Sequence, residues 1–111
     1  PMTAHPAPRT DYRQILTYVP EGAKVLDLGC GAGTLLAALV AERRAKAVGI
    51  ELDAELAQQC LAQGLSVYQG PLEEALQDYP PAHFDVVVLN QTLQATQRPL
   101  AVLHAMRRVG R

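Results

Sequence analysis

Three glycines at alternate positions, Gly29, Gly31 and Gly33, follow an acid, Asp27, near the end of the apolar run Val25 to Leu28. A phosphate, carboxylate or ribose can approach a backbone closely where side chains are absent, and the helix that Thr34 opens adds unpaired amides and a positive dipole end. A second carboxylate, Glu51, ends the next apolar run, where it can accept hydrogen bonds from both hydroxyls of a ribose. Taken singly, the loop also suits a tight turn between a strand and its helix, and Glu51 suits a carboxylate that caps the next helix beside Asp53. Strand, loop and acid in this order favour a nucleotide-type ligand.

The other chemistry-bearing residues are dispersed. Cys30 and Cys60 are far apart, form no CxxC pair, and read as loop and helix, so neither a disulfide framework nor a zinc site is expected. His5, His83 and His104 lack a partner at catalytic spacing and read as surface or interface residues. Tyr12, Tyr18, Tyr68 and Tyr79 read as packing residues, and no side chain stands out as a general base.

The elements that must position the glycines and Glu51 follow from periodicity. Asp11 caps a first helix with Tyr12, Ile15, Leu16 and Val19 on one face, and Pro20 stops it. Val25 to Leu28 is strand one. The helix Leu35 to Arg44 pairs Leu35 with Leu39 and Leu36 with Val40 against a sheet, while Glu42, Arg43 and Arg44 face water. Ala47 to Glu51 is strand two, and Asp53 caps a helix pairing Leu56 with Cys60 and Ala57 with Leu61, which Gly64 stops. Leu65 to Gln69 is strand three, followed by a short helix burying Leu72, Ala75 and Leu76. Phe84 to Leu89 is strand four, Asn90 to Thr92 the loop at its carboxyl end, and Pro99 opens a helix through Val109 that Gly110 ends. Strands alternating with helices demand a parallel sheet covered on both faces, an α/β sandwich with its ligand crevice at the strand ends.

Composition bounds the remainder. A chain of 111 residues, 49% apolar and 19% charged, makes one globular domain, read here as residues 9–111 after a proline-rich start, 1–8, that resembles a frayed terminus or expression remnant. No apolar run reaches the roughly 18 to 20 residues of a membrane span, and the start lacks a signal peptide's apolar core, so a cytoplasmic location is expected. A net charge of -1 argues against a nucleic-acid surface. The pattern stops where a fifth strand is due, so truncation is expected, leaving strand four as a sheet edge that offers a homodimer surface.

The run Asp27, Gly29, Gly31, Gly33 resembles motif I of class I S-adenosylmethionine-dependent methyltransferases rather than the GxGxxG of NAD enzymes, because its third glycine comes one residue too early. A narrower resemblance, over Arg9 to Arg111, is to the methionine-biosynthesis MetW family. It is carried by Arg9-Thr10-Asp11, Val19-Pro20, the VLDLGCG segment, Gly49-Ile50-Glu51, Phe84-Asp85, the segment Gln91 to Thr96 and the Arg-Val-Gly-Arg close. The resemblance implies a Rossmann-like class I methyltransferase fold with sheet order 3-2-1-4. It also implies S-adenosyl-L-methionine or S-adenosyl-L-homocysteine held by Asp27, Gly29, Cys30, Gly31, Gly33, Glu51, Leu52, Leu72, Glu73 and Asn90, and a homoserine O-acyltransferase as partner. Pro71 stands where related sequences usually carry an aspartate for the adenine amino group; Glu73 and the Leu72 amide are the expected substitutes. Asn90 lacks the prolines and aromatic ring of an amino-methylating motif. The expected function is an S-adenosylmethionine-binding accessory or regulatory protein of methionine biosynthesis. A small-molecule methyltransferase is the alternative, and a fold kept only as an interaction surface is a third reading.

Overall fold

In the computed structural model the described residues are 9–89. Strand β1 (Lys24–Leu28) is central, and four consecutive residues of it are buried because it is paired on both edges and covered on both faces. It runs parallel to β2 (Lys46–Glu51), with Val25 beside Ala47 and Leu28 beside Ile50, and to β4 (Val86–Leu89), with Val25 beside Val86 and Leu28 beside Leu89. Strand β3 (Val67–Gln69) lies outside β2, with Gly49 beside Val67. The sheet order is β3-β2-β1-β4, as the resemblance to class I methyltransferases implied.

Helices α1 (Arg9–Tyr18), α2 (Thr34–Arg43) and α3 (Ala54–Ala62) share a core with one sheet face, built from Leu16, Val19, Val25, Leu35, Leu36, Leu39, Ala47 and Cys60. The other face buries Leu26, Leu28 and Ile50 against Phe84 and the short α4 (Leu72–Leu76). Side chains at even and odd positions of β1 therefore serve different cores, which puts helices on both faces as expected.

Several boundaries and faces differ from the periodicity reading. The first helix already includes Arg9, so Asp11 lies within it and not at a cap position. Val40 and Leu61 are 43% and 46% exposed; the buried stripes are Leu35, Leu36 and Leu39 on α2, and Ala57 and Cys60 on α3. Arg43 does not simply face water, because its Nε donates to the Leu16 carbonyl at 2.9 Å and ties the end of α2 to α1. β3 starts late since the Leu65 amide is drawn to the Cys60 carbonyl at the end of α3. β4 starts late as well: the Asp85 carboxylate takes the Lys24 amide at 2.9 Å, filling the place of a ladder carbonyl. The expected loop at Asn90 to Thr92 and the helix after Pro99 lie outside the described residues. Among the described residues no helix is long and apolar enough to cross a membrane.

Candidate functional site

The turn between β1 and α2 is grafted onto β2. The Ile50 carbonyl accepts from the Gly29 amide at 2.8 Å and the Cys30 amide at 3.2 Å, and the Gly33 amide closes the turn on the Cys30 carbonyl at 3.1 Å. Gly31 and Gly33 have φ of 60° and 92°, a region that side chains with a Cβ rarely adopt. The two glycines serve different ends. A Cβ at Gly33 would lie 2.7 Å from Leu65 Cδ1 and 3.0 Å from Cys60 Sγ, whereas one at Gly31 would meet nothing within 4 Å, leaving open space over that peptide. The first bond leaving the turn for α2 runs from the Ala37 amide to the Gly33 carbonyl at 2.8 Å. The Thr34, Leu35 and Leu36 amides precede it and have no intrahelical acceptor, which gives the turn its donors.

Glu51 is held by the turn it faces. Its Oε1 accepts from the Gly31 amide at 2.8 Å and its Oε2 from the Asp53 amide at 2.9 Å. Each oxygen keeps a further lone pair, so the carboxylate is oriented without being saturated. The helix cap is Asp53 itself, whose Oδ1 accepts from the Leu56 amide at 3.1 Å. The end of β3 is fastened to the same place: the Gly70 amide donates to the Glu51 carbonyl at 3.0 Å, and Gln69 Nε2 to the Leu52 carbonyl at 3.0 Å.

Beneath the turn Asp27 is fully buried, between Gly49 and Val88 on the flanking strands. Burial, followed by the Asp27 charge, pushes the Cys30 thiol and the Tyr12 phenol above their ordinary values. Burial likewise raises Cys60, reinforced by Glu51 and Asp27 and opposed by its hydrogen bond with Cys30.

Asp27, Gly29, Cys30, Gly31, Gly33, Glu51 and Leu52 thus meet at the carboxyl ends of β1 and β2, with Leu52 half exposed at the rim. Leu72 sends its side chain into the core, so only its backbone can face the crevice, and Glu73 lies half-buried beside it in the first turn of α4. Asn90 lies outside the described residues. Sequence reasoning missed two neighbours of the turn. Cys60, remote in sequence, brings its sulfur to 3.9 Å from Cys30 Sγ, both thiols being free, and Gln63 donates from Nε2 to the Ala32 carbonyl at 2.8 Å. The burial of Cys60 was legible from its place on the α3 stripe, but nothing in the sequence marked Gln63. Among the described residues no group of three or more His, Cys, Asp or Glu side chains could hold a metal ion.

A family model described as methionine biosynthesis protein MetW matches residues 9–111. The chain is 37% identical over 109 residues to the bifunctional methionine biosynthesis protein MetXA/MetW of Rhodopirellula baltica, covering 91% of this chain and 18% of that one. It is 38% identical over 95 residues to the ubiquinone biosynthesis O-methyltransferase of Methylococcus capsulatus, covering 81% and 40%. Among solved structures it resembles a SAM-dependent methyltransferase from Archaeoglobus fulgidus, with TM-score 0.79, 20% identity, and coverage of 90% and 45%. Another from Aquifex aeolicus aligns with TM-score 0.70 and 26% identity, covering 91% and 58%. The fold is that of class I methyltransferases, and the chain spans less than half the length of these two curated relatives.

Proposed function

The chain belongs to the methionine biosynthesis protein MetW family, and from that premise we propose that it binds S-adenosyl-L-methionine or S-adenosyl-L-homocysteine as an accessory or regulatory partner of a homoserine O-acyltransferase. The observation that carries the reading is the 2.8 Å hydrogen bond between the Gly31 amide and the Glu51 carboxylate, which joins the glycine turn to the acid suited to a ribose. The residues fit the ligand. Space is open above Gly31, the first amides of α2 lack intrahelical acceptors, and Glu51 retains acceptor capacity for two hydroxyls. Gly29, Gly31 and Gly33 would lie beneath the ligand, Asp27 near its methionine end, Glu51 on the ribose, and Leu52, Glu73 and the Leu72 backbone beside the adenine. Cys30 and Asn90 complete the proposed set.

When bound, S-adenosylmethionine supplies an electrophilic methyl on a sulfonium. The chain's own residues bind and orient it. The partner role is supported by the relative whose name joins MetXA and MetW in one bifunctional protein. The reading carries a cytoplasmic location and excludes nucleic acid and membrane as partners.

Calorimetry on the full-length protein, with and without the acyltransferase, tests it. Binding of either ligand that is weakened in Glu51→Gln is the expected result, and no binding in either setting refutes it. A second reading, methyl transfer to a small molecule, is favoured by the identity to ubiquinone biosynthesis O-methyltransferases. Release of S-adenosylhomocysteine on addition of a metabolite would replace the accessory reading with that one.

A further inference from the structure

Helix α3 reaches the glycine turn from below with two donors. Cys60 Sγ donates to the Gly31 carbonyl at 3.1 Å, and Gln63 Nε2 to the Ala32 carbonyl at 2.8 Å, the same Gln63 nitrogen also meeting the Gln59 carbonyl at 3.0 Å. A trans peptide is planar with its N–H opposite its C=O. Drawing the Gly31 carbonyl toward α3 therefore turns the Ala32 N–H away from α3, and this amide has no acceptor among the described residues. Drawing the Ala32 carbonyl the same way turns the Gly33 N–H toward the Cys30 carbonyl, which closes the turn. Glycines on both sides of Ala32 make these two peptide planes the easiest in the turn to flip, and a flip would present a carbonyl where the donor now stands.

We propose that Gln63 and Cys60 are positioning residues of the cofactor turn: by holding the Ala32 and Gly31 carbonyls they aim the Ala32 amide into the crevice and set ligand affinity. The proposal rests on the cofactor reading above and extends it to residues outside the glycine motif. The two side chains contribute differently. Cys60 is buried and also fills space against Gly33, whereas Gln63 sits on the exposed end of α3, so its role can be separated from packing.

The test uses the full-length protein with Gln63→Glu, which replaces the donor by an acceptor facing a carbonyl, and Gln63→Lys, which keeps a donor within reach. Two quantities are read: the Kd for S-adenosylhomocysteine by calorimetry, and the amide shifts of Gly31, Ala32 and Gly33 in the ligand-free protein. Gln63→Glu should raise Kd about tenfold, the worth of one hydrogen bond, with the melting temperature little changed. Gln63→Lys should recover most of the affinity, and the Ala32 and Gly33 shifts should move in Gln63→Glu alone. Wild-type affinity with unmoved shifts in Gln63→Glu overturns the proposal. If the wild-type protein binds neither S-adenosylmethionine nor S-adenosylhomocysteine, the cofactor reading fails separately; unmoved shifts then overturn the positioning role, and moved shifts uphold it.

Discussion

Gly49 is the notch into which the glycine turn is pressed, and replacing it by alanine tests how rigidly that turn is mounted. The new Cβ would stand 2.5 Å from Cys30 Sγ, 2.9 Å from Cys30 Cβ and 3.0 Å from Leu36 Cδ2. Rotating the Cys30 side chain relieves only the first of these, because Cβ moves solely with the backbone. That backbone is tied down by the Gly29 and Cys30 amides on Ile50 and by the Gly31 amide on Glu51. Overpacking of a tight core site costs about 1–3 kcal/mol. Gly49 has no positive φ, so alanine recovers about 0.4–1 kcal/mol by restricting the unfolded chain. The net expectation is a loss of roughly 1–2 kcal/mol, read as a lower urea midpoint at unchanged slope.

The size of the second substitution should govern the rescue. Cys30→Ala removes the sulfur but leaves the 2.9 Å contact, so it should rescue Gly49→Ala in part; Cys30→Gly removes both atoms and should rescue it more fully. In the double-mutant cycle with Cys30→Gly the coupling should exceed about 1 kcal/mol, since residues in direct contact couple in this range. Additivity within about 0.3 kcal/mol would refute the claim that the turn is seated in the Gly49 notch.

Three further outcomes follow from the same geometry. Glu51→Gln offers one acceptor oxygen to two amides and turns an NH2 toward the other, so unfolding stability should fall by about 1–2 kcal/mol; a wild-type urea midpoint would contradict the double anchoring. Asp53→Ala removes the cap of α3 and should cost about 1 kcal/mol, visible in the same titration. Both thiols are raised above 9.0 in the folded protein, so the unfolded chain ionises first and the stability they contribute, complete below that pH, is lost as pH rises. Between pH 9 and 10, before the tyrosines at 10.0 enter, the Cys30 thiol adds a slope of up to about 1.4 kcal/mol per pH unit, and the Cys60 thiol acts in the same direction. Cys30→Ala should flatten that slope, and an unchanged slope would count against the shift.

What the sequence revealed is what periodicity and local chemistry encode. Val25 to Leu28 reads as a doubly covered strand because every residue is apolar or sits at its functional end, and Asp53 reads as a cap because capping is a local bond. Val40 and Leu61 were misjudged for a reason that also explains Arg43. A helix on a twisted sheet buries a narrower stripe than its apolar residues would allow, and what touches the flank depends on where the neighbouring helix lies. The late starts of β3 and β4 depend on the Cys60 carbonyl and the Asp85 carboxylate competing for amides that the ladder would otherwise use. Such competition is settled in three dimensions. The pairing of Cys30 with Cys60 belongs to the same class: one thiol is fixed by the turn and the other by the α3 stripe, and only the packing of α3 against the turn makes them neighbours.

The electrostatics of the turn bear on which form of the ligand the site would prefer. Asp27 is fully buried, and its charge adds to the burial that chiefly raises Tyr12, Cys30 and Cys60, three acids that would each become anionic. Burial disfavours charge of either sign, whereas the Asp27 part of these shifts opposes negative charge alone; that part attracts positive charge at the same place and is least screened where water is excluded. Glu51, fixed by two amides, adds to it at both thiols. On the proposed reading the two ligands differ by a methyl and by the sulfonium charge, so this field should tilt the site toward the charged form. Asp27→Asn, which keeps the shape and removes the charge, should narrow the ratio of the two dissociation constants and release the Cys30 thiol toward its ordinary range. A ratio that stays fixed while the thiol relaxes would mean that the Asp27 field does not reach the ligand's sulfur.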